Sequence, residues 1–474
     1  MTISNPPLLS RAGLAERGGR TAVVRAPVRI VHVGLGAFHR AHQAWYTARS
    51  SDAEQWGIAA FTGRNASAAV ELAPQDGLYT LIERSADEDR ASVLGNIVEV
   101  WDGARLDRFA ELVAAPATAL ITLTITESGY RLRPDGSPDA SDPVVAEDLR
   151  LLSSRSRSET PVVSTLARVV VGLDARRVSD SGPIAIVPCD NLPGNGELVR
   201  TGIRSFAGQL SSALVDWIDE NVSFVSTSVD RITPRTVAAD REIAEGITGW
   251  RDNSPVVTEP FSDWVLSGDF PAGRPRWETA GARFVDDIEP FEKRKLWLLN
   301  GAHSMLALTG MLRGHRTVAD AITDDDCRAW VTDLWHEAVA HLSADDLELA
   351  DYCAALLNRF ENGRIEHSLE QIAVEGASKL RFRIVPVATA ERAAGRDAKA
   401  CARVIASWIA LLRLGWELAD GSAEAVERAM ARPESEQVRA LIELLDEALA
   451  QDSAFLATVG SLVEEACAQT TDAS

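Results

Sequence analysis

Near residue 285 this chain changes rhythm, and that change limits what it can fold into. Before it, short β-branched runs alternate with glycine- and proline-bearing turns and helical stretches. After it, apolar residues recur at helical spacing through about 318–360, 387–418 and 423–469, with no strand alternation of comparable quality. The first pattern suits a parallel sheet with crossover helices, the second a helical domain. At 474 residues the chain also exceeds what one core usually supports. Two domains are expected: 1–285, α/β, and 286–474, mainly α-helical.

Residues 27–34, P-V-R-I-V-H-V-G, form a short β-branched run, and G-L-G-A-F-H-R-A-H-Q follows from Gly34 before the pattern turns helical. A strand, a glycine turn and a helix in that order can lay a pyrophosphate on backbone N–H groups at the helix N-terminus. The strict fingerprint has a third glycine where His39 stands here, so an ordinary glycine turn fits the same residues. His39 and His42 are spaced for a metal, but no Cys, Asp or Glu is positioned to complete a set, and no metal is expected.

Residues 56–65 and 119–126 look like buried parallel strands. In a dinucleotide fold the end of the second strand meets the adenosine ribose, where an acid favours NAD and an arginine accommodates NADP. Thr62, Gly63, Arg64 and Asn65 supply no acid there. T-E-S-G-Y (126–130) ends the later strand, where ligand-contacting loops of such sheets lie. Another short strand, 183–188, runs into C-D-N-L-P-G-N-G (189–196). Asn191 in that loop can donate its amide to a developing alkoxide, or close an Asx turn beside Pro193 and Gly194. Asp230, ending the alternating run 224–234, can accept from a sugar hydroxyl or make a structural turn with Arg231. Residues 257–264 and 270–277, rich in proline and aromatics, read as crossover loops rather than core.

Residues 290–304, P-F-E-K-R-K-L-W-L-L-N-G-A-H-S, read as the start of a helix. At about 100° per residue, Lys295, His303 and Asn300 fall at roughly 0°, 80° and 140° around it. Three polar groups of different chemistry thus share one side of an apolar helix. A lysine in apolar surroundings has its charged form disfavoured and becomes a candidate base. The alternative is a lysine that snorkels to water beside an Asn and a His that satisfy nearby backbone.

A formal net charge of −21 argues against binding nucleic acid or anionic membrane through a general basic surface. No run approaches about 18 uninterrupted apolar residues, and the first residues lack an apolar signal core. Five scattered cysteines suggest neither a disulfide framework nor a zinc site, which fits a reducing cytoplasm. No long apolar heptad seam is evident, and a monomer is expected.

The motifs G-L-G-A-F-H-R-A-H-Q, T-I-T-E-S-G-Y, C-D-N-L-P-G-N-G, S-V-D-R-I-T-P, E-P-F-S-D-W-V and K-L-W-L-L-N-G-A-H-S occur in that order. With them the chain closely resembles the mannitol dehydrogenase family of long-chain polyol dehydrogenases, over about residues 28–390. The family includes fructuronate reductases and arabinitol dehydrogenases. The resemblance implies an N-terminal Rossmann-type dinucleotide-binding domain, a mainly helical C-terminal domain, an active site between them, and zinc-free catalysis. By it Lys295 matches the catalytic base, Asn191 and Asn300 the amides on the reacting oxygen, and Asp230 and His303 substrate-binding positions. Gly34, Gly36, Phe38, His39, Arg64, Thr126 and Glu127 are the positions expected to meet the cofactor.

Two departures matter. Asn65, preceded by Arg64, stands where the family often carries an acid, which leaves NADP open beside NAD. Glu375, Gly376 and Ala377 replace the family's Asp-Gly-Ser, and Q-I-A with Arg383 resembles the fructuronate reductases. Lys379, Arg381 or Arg383 can pair with a substrate carboxylate or phosphate; each can equally be an ordinary surface base. The expected activity is NAD(P)-dependent interconversion of a polyol and its ketose, with mannitol and fructose as the default pair. Fructuronate reduction and mannitol 1-phosphate oxidation are rivals of the same chemistry. An epimerase that retains its NAD and a cofactor-binding sensor without turnover are rivals of other classes.

Overall fold

The computed structural model describes residues 6–18, 25–63, 65–154, 161–342 and 347–471. They divide into two units, Met1–Glu289 and Pro290–Ser474.

The first unit is built on strands β1 (Val28–Val33), β2 (Gly57–Phe61), β3 (Tyr79–Arg84), β4 (Asp89–Leu94), β5 (Ile97–Trp101) and β6 (Leu120–Leu123). They are followed by β7 (Ile184–Pro188), β8 (Val222–Phe224), β9 (Ser226–Asp230), β10 (Val256–Thr258), β11 (Asp263–Ser267) and β12 (Arg283–Phe284). Six of them form one parallel sheet in the order β5-β2-β1-β6-β7-β8. Its central strands are apolar on both faces. Val31, Val33, Ile121 and Ile186 enter one core, while Ile30, Ile58, Leu120 and Val187 enter the other. Such strands read as continuous apolar runs because helices cover both sides of the sheet. The chain order reverses between β1 and β6, and a crevice opens outside the carboxyl ends of strands at such a switch point. The glycine turn, T-E-S-G-Y and C-D-N-L-P-G-N-G follow β1, β6 and β7, so all three lie at that end of the sheet.

Two three-stranded sheets, β10-β3-β4 and β12-β11-β9, complete the unit. β10 and β11 overturn the expectation of crossover loops at 257–264. Residues 270–277 do lie in the connection between the parallel strands β11 and β12, although the last of them, Trp277, enters the core. Trp264 and Trp277 are fully buried with ring centroids 4.5 Å apart. The Trp277 indole N–H donates to Thr47 Oγ1 at 3.0 Å. Large aromatic area sets these segments into the core, against the local signal of their prolines.

His32 and His39 stack at 3.3 Å between centroids, both fully buried. Burial pulls the His32 pKa down to about 3. His39 is held well below its usual value by burial, with His32 beside it adding to the effect. Each ring stays neutral in the fold and takes a proton on unfolding. The stability this gives is complete above the unfolded value near pH 6.5 and is lost as the pH falls toward the folded values. For His32, acidification from pH 7 to about 5 should cost about 2 kcal/mol. Urea unfolding at the two pH values measures it. His32→Gln should show a shallower pH dependence, and equal slopes in variant and parent would contradict the assignment.

The second unit is helical. The helix Gly301–Leu312 is buried from Gly301 to Met311 and packs against Asp325–Val339, Leu369–Ala373 and Lys399–Arg413. The last of these pairs with Ser453–Thr471. Among the described residues no helix is long and apolar enough to cross a membrane.

Candidate active site

In the first unit the chain leaves β1 through Gly34, at φ +108°. A Cβ there would stand 2.0 Å from the Thr124 carbonyl oxygen, so only glycine lets the turn pass β6 so closely. The Gly34 and Leu35 N–H groups both donate to the Phe61 carbonyl, at 3.0 and 2.9 Å. Gly36 then caps the helix Ala37–Ala41 without a side chain to bond its first N–H groups, while Arg40 Nε donates to the Gly36 carbonyl at 3.1 Å. Only the Gly34 carbonyl oxygen comes within 4 Å of where a Gly36 Cβ would be, at 3.6 Å. Bare backbone N–H groups at a helix start beside open space fit a pyrophosphate.

The other expected cofactor positions divide. Phe38 is half-buried and stacks on His42, whereas the His39 ring lies inside the core, so only its backbone can serve a nucleotide. Thr126 is exposed at the cap of the short turn that Glu127 begins. Arg64 lies outside the described residues.

Asp190 organises one turn of C-D-N-L-P-G-N-G. The Leu192 N–H donates to Asp190 Oδ1 at 2.9 Å, an Asx turn at Asp190. Asn191 is exposed. The Tyr130 hydroxyl donates to Asp190 Oδ2, joining this loop to T-E-S-G-Y. Gly194 takes φ +59° and starts the helix Asn195–Leu210. Asp230 is buried at the end of β9, opposite Asp263 of β11. Its neighbour Arg231 is an anchor. It donates to the carbonyls of Glu259 and Ala41 at 3.0 and 2.7 Å and to Glu83 Oε1 at 2.7 Å.

In the second unit the stretch around Lys295 corrects the helical projection. The helix Glu289–Arg294 is followed by one π-helical segment, Lys295–Asn300, before the α-helix resumes at Gly301. Hydrogen bonds there run to the fifth residue, so each residue advances less than in an α-helix, and such wide turns recur at functional sites. Lys295 opens the segment and Asn300 closes it, both half-buried among the buried Trp297, Leu298 and Leu299. The Trp335 indole N–H donates to the Leu298 carbonyl at 2.9 Å, supplying a donor within the wide turn.

His303 is buried on the next turn, edge-on to His367 at 4.8 Å between centroids. Burial holds His303 well below its usual pKa, with His367, Arg359, Arg383 and Lys379 adding to the effect. The ring is neutral near pH 7, and its Nε2 is buried without a hydrogen-bond partner. Arg383 Nη1 donates to the Asn300 carbonyl at 3.3 Å and to Ser304 Oγ at 3.2 Å, which places it on the Lys295 helix. Lys379 Nζ donates to the Ile372 carbonyl at 2.8 Å. Arg381 is turned to the Leu444 carbonyl, a structural role. Arg359 and His367 had no spacing signal in the sequence; the fold alone brings them to His303. Among the described residues no group of three or more His, Cys, Asp or Glu side chains could hold a metal ion.

Residues 28–279 match the family model described as the mannitol dehydrogenase Rossmann domain, and 287–467 match the mannitol dehydrogenase C-terminal domain. D-arabinitol 4-dehydrogenase of Ralstonia nicotianae is 36% identical over 84% of this chain and 85% of its own. D-mannonate oxidoreductase of Escherichia coli is 34% identical over 81% and 80%. The solved ternary complex of Pseudomonas fluorescens mannitol 2-dehydrogenase with NAD and D-mannitol superposes with a TM-score of 0.81 at 30% identity. It covers 98% of this chain and 99% of that one. With both of its halves matched, the chain belongs to the mannitol dehydrogenase family of oxidoreductases.

Proposed function

We propose that this protein interconverts a secondary alcohol of a small polyol with the corresponding ketose, using NAD and Lys295 as general base. The observation that carries the reading is the π-helical segment that begins at Lys295 and ends at Asn300, with neutral His303 on the turn after it. NAD, when bound, takes the hydride from the alcohol carbon. Gly34 and Gly36 would leave room for its pyrophosphate at the start of the Ala37–Ala41 helix.

Uncharged Lys295 accepts the hydroxyl proton as the hydride leaves the same carbon. The Asn191 and Asn300 amides donate to the oxygen as it gains charge, worth about 3 kcal/mol per donor by analogy with oxyanion holes. Asp230 accepts from a neighbouring hydroxyl. His303, kept neutral, holds another through Nε2, which is otherwise unpartnered. In the reverse direction Lys295 as an ammonium returns the proton to the reduced ketone. Mannitol and fructose are the default pair, supported by the likeness to the mannitol-bound enzyme.

A second reading, a sugar acid in place of the neutral sugar, is favoured by one observation. Arg359, Lys379 and Arg383 gather near His303 in a chain whose net charge is −21. A carboxylate suits that local positive potential better than a hydroxymethyl group does. The relative named for D-mannonate is consistent with it.

A screen of polyols with NAD+ and NADP+, and of ketoses and hexuronates with NADH and NADPH, followed at about 340 nm, tests both readings. Activity on mannitol and fructose supports the default. Activity on hexuronates alone overturns it in favour of the sugar acid, and turnover without net change in the nucleotide points to an epimerase. Alcohol oxidation should rise with pH as the base loses its proton. A flat profile between roughly pH 6 and 10 would contradict a lysine base.

A further inference from the structure

Asn195 is fully buried at the start of the helix Asn195–Leu210, and its carboxamide is used on both sides. Its Nδ2 donates to the Thr227 carbonyl at 3.1 Å and to Asp190 Oδ1 at 3.3 Å. Its Oδ1 accepts from the Thr227 N–H at 2.9 Å. Thr227 is fixed in turn, its Oγ1 donating to the Pro188 carbonyl at 2.6 Å where β7 ends. The two bonds to Thr227 form a closed amide-to-backbone pair, the same pairing one strand makes with another. Such a pair sets both the distance and the rotation of what it joins.

What it joins is specific. Asp190 directly precedes Asn191, and Thr227 lies on β9, which ends at Asp230. The other carboxylate oxygen of Asp190 receives the Tyr130 hydroxyl, so the T-E-S-G-Y loop is tied into the same network. Gly196 allows the close approach. A Cβ there would stand 2.6 Å from Ser226 Oγ and 2.9 Å from the Ser226 nitrogen. Helix start, loop and β9 therefore meet with no side chain between them at Gly196, and Asn195 supplies the hydrogen bonds. A buried amide serving only stability needs its polar atoms satisfied, and any local backbone would do that. This one spans 32 residues of sequence to lock the loop carrying Asn191 to the strand carrying Asp230.

We propose that Asn195 is a positioning residue for hydride transfer, aiming the Asn191 amide through Asp190 and holding it in register with Asp230, with Tyr130 as the outer brace. The inference rests on the reading of Asn191 as a donor to the reacting oxygen. A misplacement of about 1 Å at such a donor costs about 100-fold in rate. The loss should fall on kcat and not on nucleotide binding.

A double-mutant cycle tests it. Asn195→Ala should lower kcat about 100-fold with the affinity for NADH, from fluorescence titration, unchanged. Adding it to Asn191→Ala should cost little more than Asn191→Ala alone, because the amide it positions is already gone. Tyr130→Phe, which removes a single hydroxyl, gives a milder variant should Asn195→Ala fold poorly. It should lower kcat about 10-fold and lose that effect in the Asn191→Ala background. Costs that multiply across the cycle, or a fall in thermal stability with kcat intact, overturn the inference while leaving Asn191 in its role. If Asn191→Ala alone leaves turnover unchanged, the assignment of Asn191 falls and takes the inference with it.

Discussion

Lys295→Ala should lower turnover by about three orders of magnitude or more while the nicotinamide nucleotide still binds. A loss of that size corresponds to about 4 kcal/mol of transition-state stabilisation, the scale expected when a positioned base is removed. The separation from nucleotide binding follows from the fold. The backbone groups suited to the pyrophosphate lie in the first unit, at Gly34–Ala37, whereas Lys295 opens the π segment of the second. Stopped-flow measurement of the chemical step, beside a binding titration with NADH, checks both halves of the expectation. A Lys295→Ala enzyme that keeps its turnover would remove the base from the mechanism. One that loses NADH affinity in proportion would make Lys295 part of the nucleotide site instead.

How legible these features were depends on the range of the interaction that makes them. The β1 turn could be read directly because its requirements are local: a β-branched run, then a glycine that alone tolerates φ +108° beneath the Thr124 carbonyl. The buried strands β2 and β6 were legible for the same reason, as apolar runs of strand length. The segments holding Trp264 and Trp277 misled because proline content is local, while their burial comes from packing between distant aromatics and Thr47. Asn195 lies within C-D-N-L-P-G-N-G, yet its partner Thr227 is 32 residues away. His39 filled the place of a fingerprint glycine, which drew a cofactor role onto a side chain that the fold buries against His32.

The π segment was the least legible of all, since K-L-W-L-L-N is a good α-helical sequence. The partner that meets its wide turn is distant: the Trp335 indole N–H reaches the Leu298 carbonyl from 37 residues away. Trp335→Phe keeps an aromatic ring at this buried position but removes that donor. It should destabilise the protein by about 1 kcal/mol, the loss of one buried hydrogen bond, because the Leu298 carbonyl keeps the Gly301 N–H. The larger effect should be on rate. Without the indole the segment can return to α-helical bonding, which changes the rotation between Lys295 and both Asn300 and His303. A shift of about 1 Å at the base would lower kcat about 100-fold, with NADH affinity unchanged. Val331→Ala, one turn earlier on the same buried helix face, makes a cavity without touching the donor and serves as the packing control. It should lose at least as much stability yet keep most of its turnover. If the two variants lose turnover in proportion to stability, the wide turn has no part in aiming the base.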